Sequence, residues 1–236
     1  QSCLMEVNRE GEVVRYELHD GVIHSRARMT YTAVNGIVFE RDPGLRETYR
    51  DLVPTFELMH ELFAVLNGRR RRRGSIDFDL PEAEVRVDAD GAISDIVAAE
   101  RNVAHRLIEE FMLLANETVA AHLEAKGMPS LYRVHEAPEP VRVLEFEDFV
   151  SSLGVSLDAA PGGVHPRDFQ RLVDRIKGTP EERPIAFLML RTMQKARYDA
   201  QNLGHFGLAA HTYTHFTSPI RRYPDLVVHR VLRELR

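Results

Sequence analysis

The order of elements along the chain predicts an α+β fold in which a mixed or antiparallel sheet packs with several helices. Three observations carry that expectation. Period-two alternation is confined to short paired runs near residues 4–23 and 84–97, each split by a turn rich in Asn, Asp or Gly. Apolar residues at helical spacing fill residues 43–67 and 100–126 and recur in shorter runs after residue 140. Strands come first and helices later, which argues against a βαβ series.

Each element has a local reason. Residues 4–7 and 12–23 read as strands joined by Asn8-Arg9-Glu10-Gly11, where Gly11 supplies the positive φ of a tight turn. With no element before that first strand, its partners are expected upstream, in a longer domain. Thr30 can cap a short helix running to Val38. Within 43–67, Leu52, Phe56, Met59, Leu62, Phe63 and Leu66 keep helical spacing, and Pro54 marks a break or a restart. Five consecutive arginines, Arg69 to Arg73, end at Gly74. They resemble a basic nucleic-acid patch, with a mobile solvated loop as the bland alternative. Residues 75–79 read as a short strand, and 84–87 with 92–97 as a hairpin around Asp88-Ala89-Asp90-Gly91. Residues 100–126 read as a long amphipathic helix stopped by Gly127 and Pro129. Shorter helices are expected near 141–153, 166–177 and 183–198, with a loop at 159–163.

Composition bounds the function classes. The 236 residues suit one large domain or two small ones. Hydrophobic residues at 44% and charged residues at 28% exclude disorder or a fibrous repeat as the main reading. The longest apolar run, residues 185–190, is far short of the roughly 20 residues a membrane helix needs, so no membrane partner is expected. No cationic start precedes an apolar stretch, so no signal peptide is expected. The lone Cys3 permits no internal disulfide, which fits a cytoplasmic address. Of 31 cations, 28 are arginine. Genome composition explains scattered arginines, whereas clustered ones can grip phosphate in a planar, bidentate way. The net charge of −5 argues weakly against a polyanion partner, yet residues 201–236 hold five arginines and two acids, a local +3.

That reversal centres on His211-Thr-Tyr-Thr-His215-Phe-Thr217-Ser218-Pro219-Ile220-Arg221-Arg222-Tyr223-Pro224-Asp225. Ser218 and Pro219 read as an N-cap and first helical position. Pro224 is awkward inside that helix, so the first turn can be separate from a main helix at 225–235. Either way Thr217, Ser218, Arg221 and Arg222 crowd one helix start, where N–H groups, hydroxyls and guanidinium make an anion site. The bland alternative is a capped surface helix with solvated arginines. His211 and His215 would suggest zinc if helical, but this segment reads as strand or loop and no suitable cysteine is near, so no metal ligand is assigned. The Asn116-Glu117-Thr118 sequon sits mid-helix and is discounted.

The run from Thr214 to Asp225, followed by Val228-His229-Arg230, closely resembles the C-terminal signature of the RNase II/RNase R exoribonuclease catalytic domain, the RNB type, and the RNase R branch in particular. Agreement extends in order through residues 23–31, through Arg73-Gly74-Ser75-Ile76-Asp77-Phe78, and through Glu100-Arg101-Asn102 to Asn116. One departure stands out. The family's Asp-x-Asp-Asp magnesium cluster is missing, and the pairs Asp77/Asp79 and Asp88/Asp90 do not match it. The flanking cold-shock and S1 domains are missing too. Residues 1–236 are therefore expected to be a truncated RNB-type catalytic domain, cut at both ends.

The resemblance implies roles for individual residues. Arg221 matches the catalytic arginine that steadies charge on the scissile phosphate. Phe78 matches an aromatic that stacks on bases near the RNA 3′ end without sequence preference; alone it reads as a core residue. Tyr31 matches a tyrosine near the terminal nucleotide, or else is a buried ring at a helix start. Glu110 matches an acid at the end of the RNA channel, where it could accept from sugar hydroxyls. It lies about 60° from the centre of the apolar stripe of its helix, whereas Glu109, at about 200° on the same wheel, lies on the far side. Its bland alternative is a boundary residue paired with Arg106.

The intact protein is thus expected to be a magnesium-dependent, hydrolytic 3′→5′ exoribonuclease. It would act on single-stranded RNA and release nucleoside 5′-monophosphates. The 236-residue chain alone is expected to hold no metal, to be inactive, and to self-associate through uncovered edges, although intact members of the family are usually monomeric. The alternative is a catalytically dead paralogue that binds RNA or protein.

Overall fold

The computed structural model describes residues 1–77, 83–88, 90–98, 101–159 and 163–235. It is an α+β arrangement, as expected. Eight α-helices and three antiparallel strand pairs are present among the described residues.

Strands β1 (Ser2–Val7) and β2 (Val13–His19) form the first pair. Their turn closes because Asn8 Oδ1 accepts from the N–H groups of Glu10 and Glu12 while Gly11 takes φ 82°. Helix α1 (Tyr31–Asn35) is capped by the Thr30 hydroxyl and runs into a π-helical turn, Gly36–Glu40. The anticipated break is real: α2 (Pro43–Thr48), capped by Asp42, ends before α3 (Val53–Arg73) begins, with Pro54 in its first turn.

The five arginines correct the loop alternative, because they are the last turns of α3. A helix C-terminus favours cations, and four of the five guanidiniums have an anchor in a different segment. Arg69 donates to the Gly11 carbonyl (3.0 Å) and Arg70 to Glu110 (2.8 Å). Arg71 reaches Asp174 (3.1 Å), and Arg73 forks onto Glu117 (2.8 and 2.7 Å). Gly74 stops the helix at φ 94°, and a Cβ there would lie 2.8 Å from the Arg167 side chain.

Residues 75–77 are not the expected strand. Ile76 N–H bonds the Gly207 carbonyl and Asp77 N–H the Gln170 side chain of a later helix, so partners outside any strand replace a ladder. The hairpin of β3 (Ala83–Val87) and β4 (Ile93–Ala98) forms as expected. Helix α4 (Val103–Ala125) is capped by Asn102.

Strand β5 (Tyr132–Val134) pairs with β6 (Arg197–Asp199), a pairing with no signal in the sequence. It shortens the expected helix at 183–198 to α7 (Glu182–Thr192). Tyr198 thereby gains the Arg133 guanidinium 4.9 Å over its ring and a hydrogen bond to His215, contacts a continued helix would forfeit. Helices α5 (Pro140–Ser152), α6 (Pro166–Ile176) and α7 share a core of Phe146, Phe169, Leu172, Ile185 and Met189. The final helix, α8 (Tyr223–Glu234), packs Val228 and Leu232 on Val119, Leu123 and Phe216. It starts later than a Ser218 cap would place it. Pro224 lacks an N–H and fits only the first turn, so residues 217–222 form a separate non-helical turn. No helix among the described residues is long and apolar enough to cross a membrane.

Candidate functional site

The C-terminal turn is built on one asparagine of α4. Asn116 is buried, donates from Nδ2 to the Tyr213 hydroxyl (3.0 Å) and accepts at Oδ1 from Phe216 N–H (2.9 Å). The Phe216 carbonyl takes a bond from His229 Nε2 (2.8 Å), whose ring stacks on Phe216 at 4.5 Å. Beyond Phe216 the chain turns outward. Thr217, Ser218, Arg221 and Arg222 share this turn, but it is not the helix start the sequence predicts: Ser218 N–H is taken by Asp225, and the N–H groups of Arg221 and Arg222 by the Ser218 carbonyl. The two arginines differ in their surroundings. Arg222 donates from Nη2 to Asp225 (2.7 Å) and lies within 3.4 Å of the Thr217 hydroxyl. Arg221 is exposed and makes no side-chain hydrogen bond or ion pair among the described residues. Ile220 and Tyr223 beside it are exposed as well.

Leading into the turn, His205, Tyr213 and His215 form a chain of edge-to-face rings 5.3–5.7 Å apart, with Tyr198 on the far side of His215. Burial, then the charge of Arg222, pushes the His215 pKa down to about 4, and burial pushes His205 down to about 3. Burial raises the Tyr213 hydroxyl to about 12. These groups are neutral near pH 7. The segment is tied to β5 by Thr214 Oγ1 on the Leu131 carbonyl (2.6 Å) and Arg133 N–H on the Tyr213 carbonyl (2.9 Å).

The N-terminal half of α4 carries the other residues. Tyr31 is 44% exposed and stacks on His105 with ring centres 3.8 Å apart, so it is not a buried ring. Glu110 is 4% exposed. Its partners are Arg70 and Asn67, both at 2.8 Å on Oε1, rather than Arg106. Arg106 faces Asp77 instead (3.7 Å), together with Arg70 (3.6 Å) and Arg101 (3.5 Å). Phe78, one residue on, lies outside the described residues. Glu110, Arg70 and Arg73 also line a cavity of about 30 Å³, room for about one water.

The turn residues are thus brought together, whereas Tyr31 and Glu110 each have partners of their own and no bond joins them to each other or to the turn among the described residues. Helix α4 links Glu110 with the turn: Glu110 and Asn116 are six positions apart, about 9 Å of rise. Sequence reasoning missed Asp225, Asn116, Arg70 and His105. An Asn inside a long apolar helix is a poor helix former, and that was the available signal for Asn116. The divalent metal that the resemblance implies finds no fitting set here. Among the described residues no group of three or more His, Cys, Asp or Glu side chains stands together, and Glu110, Glu117, Asp77 and Asp225 all face arginines.

Residues 1–236 match the RNB domain throughout. Ribonuclease R 1 of Lactococcus lactis subsp. lactis is 46% identical over 235 residues, which are 100% of this chain and 29% of that protein. The structure of Mycoplasma genitalium RNase R in complex with ribose-methylated single-stranded RNA matches with a TM-score of 0.89 at 29% identity, over 98% of this chain and 36% of that one. Yeast Ssd1, a pseudonuclease, matches with a TM-score of 0.51 at 30% identity, over 58% of this chain and 17% of that one. The chain thus spans about a third or less of these relatives' length. With the whole-length domain match and this identity, the chain belongs to the RNB domain family.

Proposed function

We propose that this chain is the RNA-holding part of the catalytic domain of a cytoplasmic, hydrolytic 3′→5′ exoribonuclease that degrades single-stranded RNA to nucleoside 5′-monophosphates. The observation that carries the reading is the Arg221 guanidinium: exposed, unpaired among the described residues, and set on a turn whose flanks are buried and bonded. A fixed cation free of counter-charge meets a phosphate without first breaking an ion pair, and stabilises it most as negative charge builds in the transition state. Tyr31 and Phe78 offer rings to the terminal bases. Glu110, 4% exposed and held through Oε1 by Arg70 and Asn67, supports the end of the channel from behind rather than meeting the sugar itself. Thr217, Ser218 and Arg222 shape the turn and help fix the phosphate.

A divalent metal, magnesium in this reading, belongs to residues of the intact protein outside this chain. Incubating the intact protein with a single-stranded RNA oligomer and magnesium should release 5′-monophosphates from the 3′ end, and a DNA oligomer of the same sequence should stay intact. The 236-residue chain alone should release none and bind RNA weakly, more weakly still as salt rises. Release that tracks the purified chain would refute the division of labour.

The similarity to a pseudonuclease supports a second reading, a binding module without hydrolysis. Substituted aspartates upstream in the full reading frame would favour it, and an intact cluster would exclude it.

A further inference from the structure

We propose that Asp225 is a positioning residue for Arg221: its buried carboxylate sets where the neighbouring free guanidinium stands. The inference rests on Arg221 meeting the RNA phosphate. Asp225 is 0% exposed, and a buried carboxylate is costly unless its partners are good. Both of its hydrogen bonds go to the two flanks of the turn. Oδ1 accepts from Ser218 N–H at 2.7 Å and from Arg222 Nη2 at 2.7 Å. Arg222 N–H in turn donates to the Ser218 carbonyl at 3.0 Å. These three bonds close a ring across the turn, and Pro219, Ile220 and Arg221 lie between Ser218 and Arg222. Arg221 N–H also donates to the Ser218 carbonyl, at 3.2 Å. The backbone that carries the guanidinium is therefore fixed on both sides.

The plainer explanation, an ordinary helix cap, does not match the bonding. Asp225 is the third residue of α8, and in a capping box that residue reaches back to the N–H of the N-cap itself. Here the N-cap is Arg222, and its N–H is already bonded to Ser218. Asp225 passes it and takes the N–H four residues earlier. The ion pair with Arg222 is also incomplete. Arg222 Nε and Asp225 Oδ2 are both buried with no hydrogen-bond partner among the described residues. A side-on fork would use them, but the carboxylate is oriented so that Oδ1 reaches Ser218. The turn, rather than the salt bridge, dictates the carboxylate's pose.

The test is a double-mutant cycle in the intact enzyme with single-stranded RNA, measuring kcat and KM for nucleotide release. Arg221→Ala should lower kcat about a hundredfold, the scale of losing one transition-state charge donor. Asp225→Ala should lower kcat about tenfold with KM changed less than about twofold, because misplacement affects the transition state more than binding. Beside Arg221→Ala, adding Asp225→Ala should cost less than about twofold, since its effect runs through the missing guanidinium. Asp225→Asn keeps Oδ1 and should lose only about threefold. If the Ala variant fails to fold, the Asn variant carries the cycle, and its loss must also vanish beside Arg221→Ala. Equal losses with and without Arg221, or a folded Asn variant with no loss, would overturn the positioning role alone. An Arg221→Ala enzyme as active as the parent, or a parent that releases no nucleotide, would overturn the phosphate reading and this inference with it.

Discussion

The two halves of α4 handle charge in opposite ways. Around Glu110 the cations are paired: Arg70 on Glu110, and Arg70, Arg101 and Arg106 around Asp77. Past Asn116 the same helix supports a turn in which one arginine is tied down by Asp225 and the next one is left free. Arginine density therefore does not mark the ligand-facing end. The dense run is internal architecture, while the sparse turn keeps a guanidinium without counter-charge. An anion gains most from the second arrangement, because a paired cation must first be separated from its carboxylate.

The contrast can be broken at its strongest point. Glu110→Ala takes from Arg70, which is 8% exposed, its nearest counter-charge and leaves it Asp77 at 3.6 Å and Ser75 Oγ at 3.2 Å, so it should destabilise the protein by about 3 kcal/mol in chemical denaturation. A loss below about 1 kcal/mol would mean that the N-terminal half is not held by its ion pairs. On the other side, Asn116→Ala leaves the Phe216 N–H and the Tyr213 hydroxyl without partners. We expect a cost of about 1–3 kcal/mol, together with weaker protection of the Phe216 amide in hydrogen exchange. Unchanged protection would show that the turn is anchored elsewhere.

The pH dependence sharpens the difference between the halves. His205 and His215 have folded pKa values pushed below the ordinary 6.5, to about 3 and about 4, so between those values the unfolded chain binds more protons than the folded one. Their contribution to stability is complete above pH 6.5 and is lost as pH falls toward 4 and then 3. A Tm series should fall through that window, and His215→Gln should flatten its upper part. A series as steep in the variant as in the parent would contradict the assignment to His215. The smallest effect is expected at Arg221. Its removal should change stability by less than about 0.5 kcal/mol, as for a surface side chain without partners. A larger loss would reveal a structural partner and weaken the functional reading.

Much of the fold was legible because its signals are local. Gly11 and Thr30 each act within four residues of their own position, and the turn and the cap came out where those residues stand. What the sequence hid depends on distant partners. The arginine run reads as a loop or patch until Glu110, Glu117 and Asp174 are known to face it. Strand β6 is three residues long and exists only because β5 lies alongside. At Ser218-Pro219 the local cap signal was genuine, but it lost to Pro224 and to the tertiary bond from Asp225. In the site, Arg221 stood out through a long motif, whereas Asp225 sits in the same motif and shows its role only when its buried carboxylate is traced to Ser218.

The end of α3 has a consequence for how this domain assembles. Its guanidiniums reach anchors 40, 44, 58 and 103 positions away along the chain. Contacts of such separation are established only after large loops have closed, which makes them slow to form. Until then the last turn of α3 carries a cluster of mutually repelling cations with nothing to neutralise them. The hub should lock in late and all at once. Slowing the arrival of any one anchor should delay the native state more than its share of equilibrium stability would suggest.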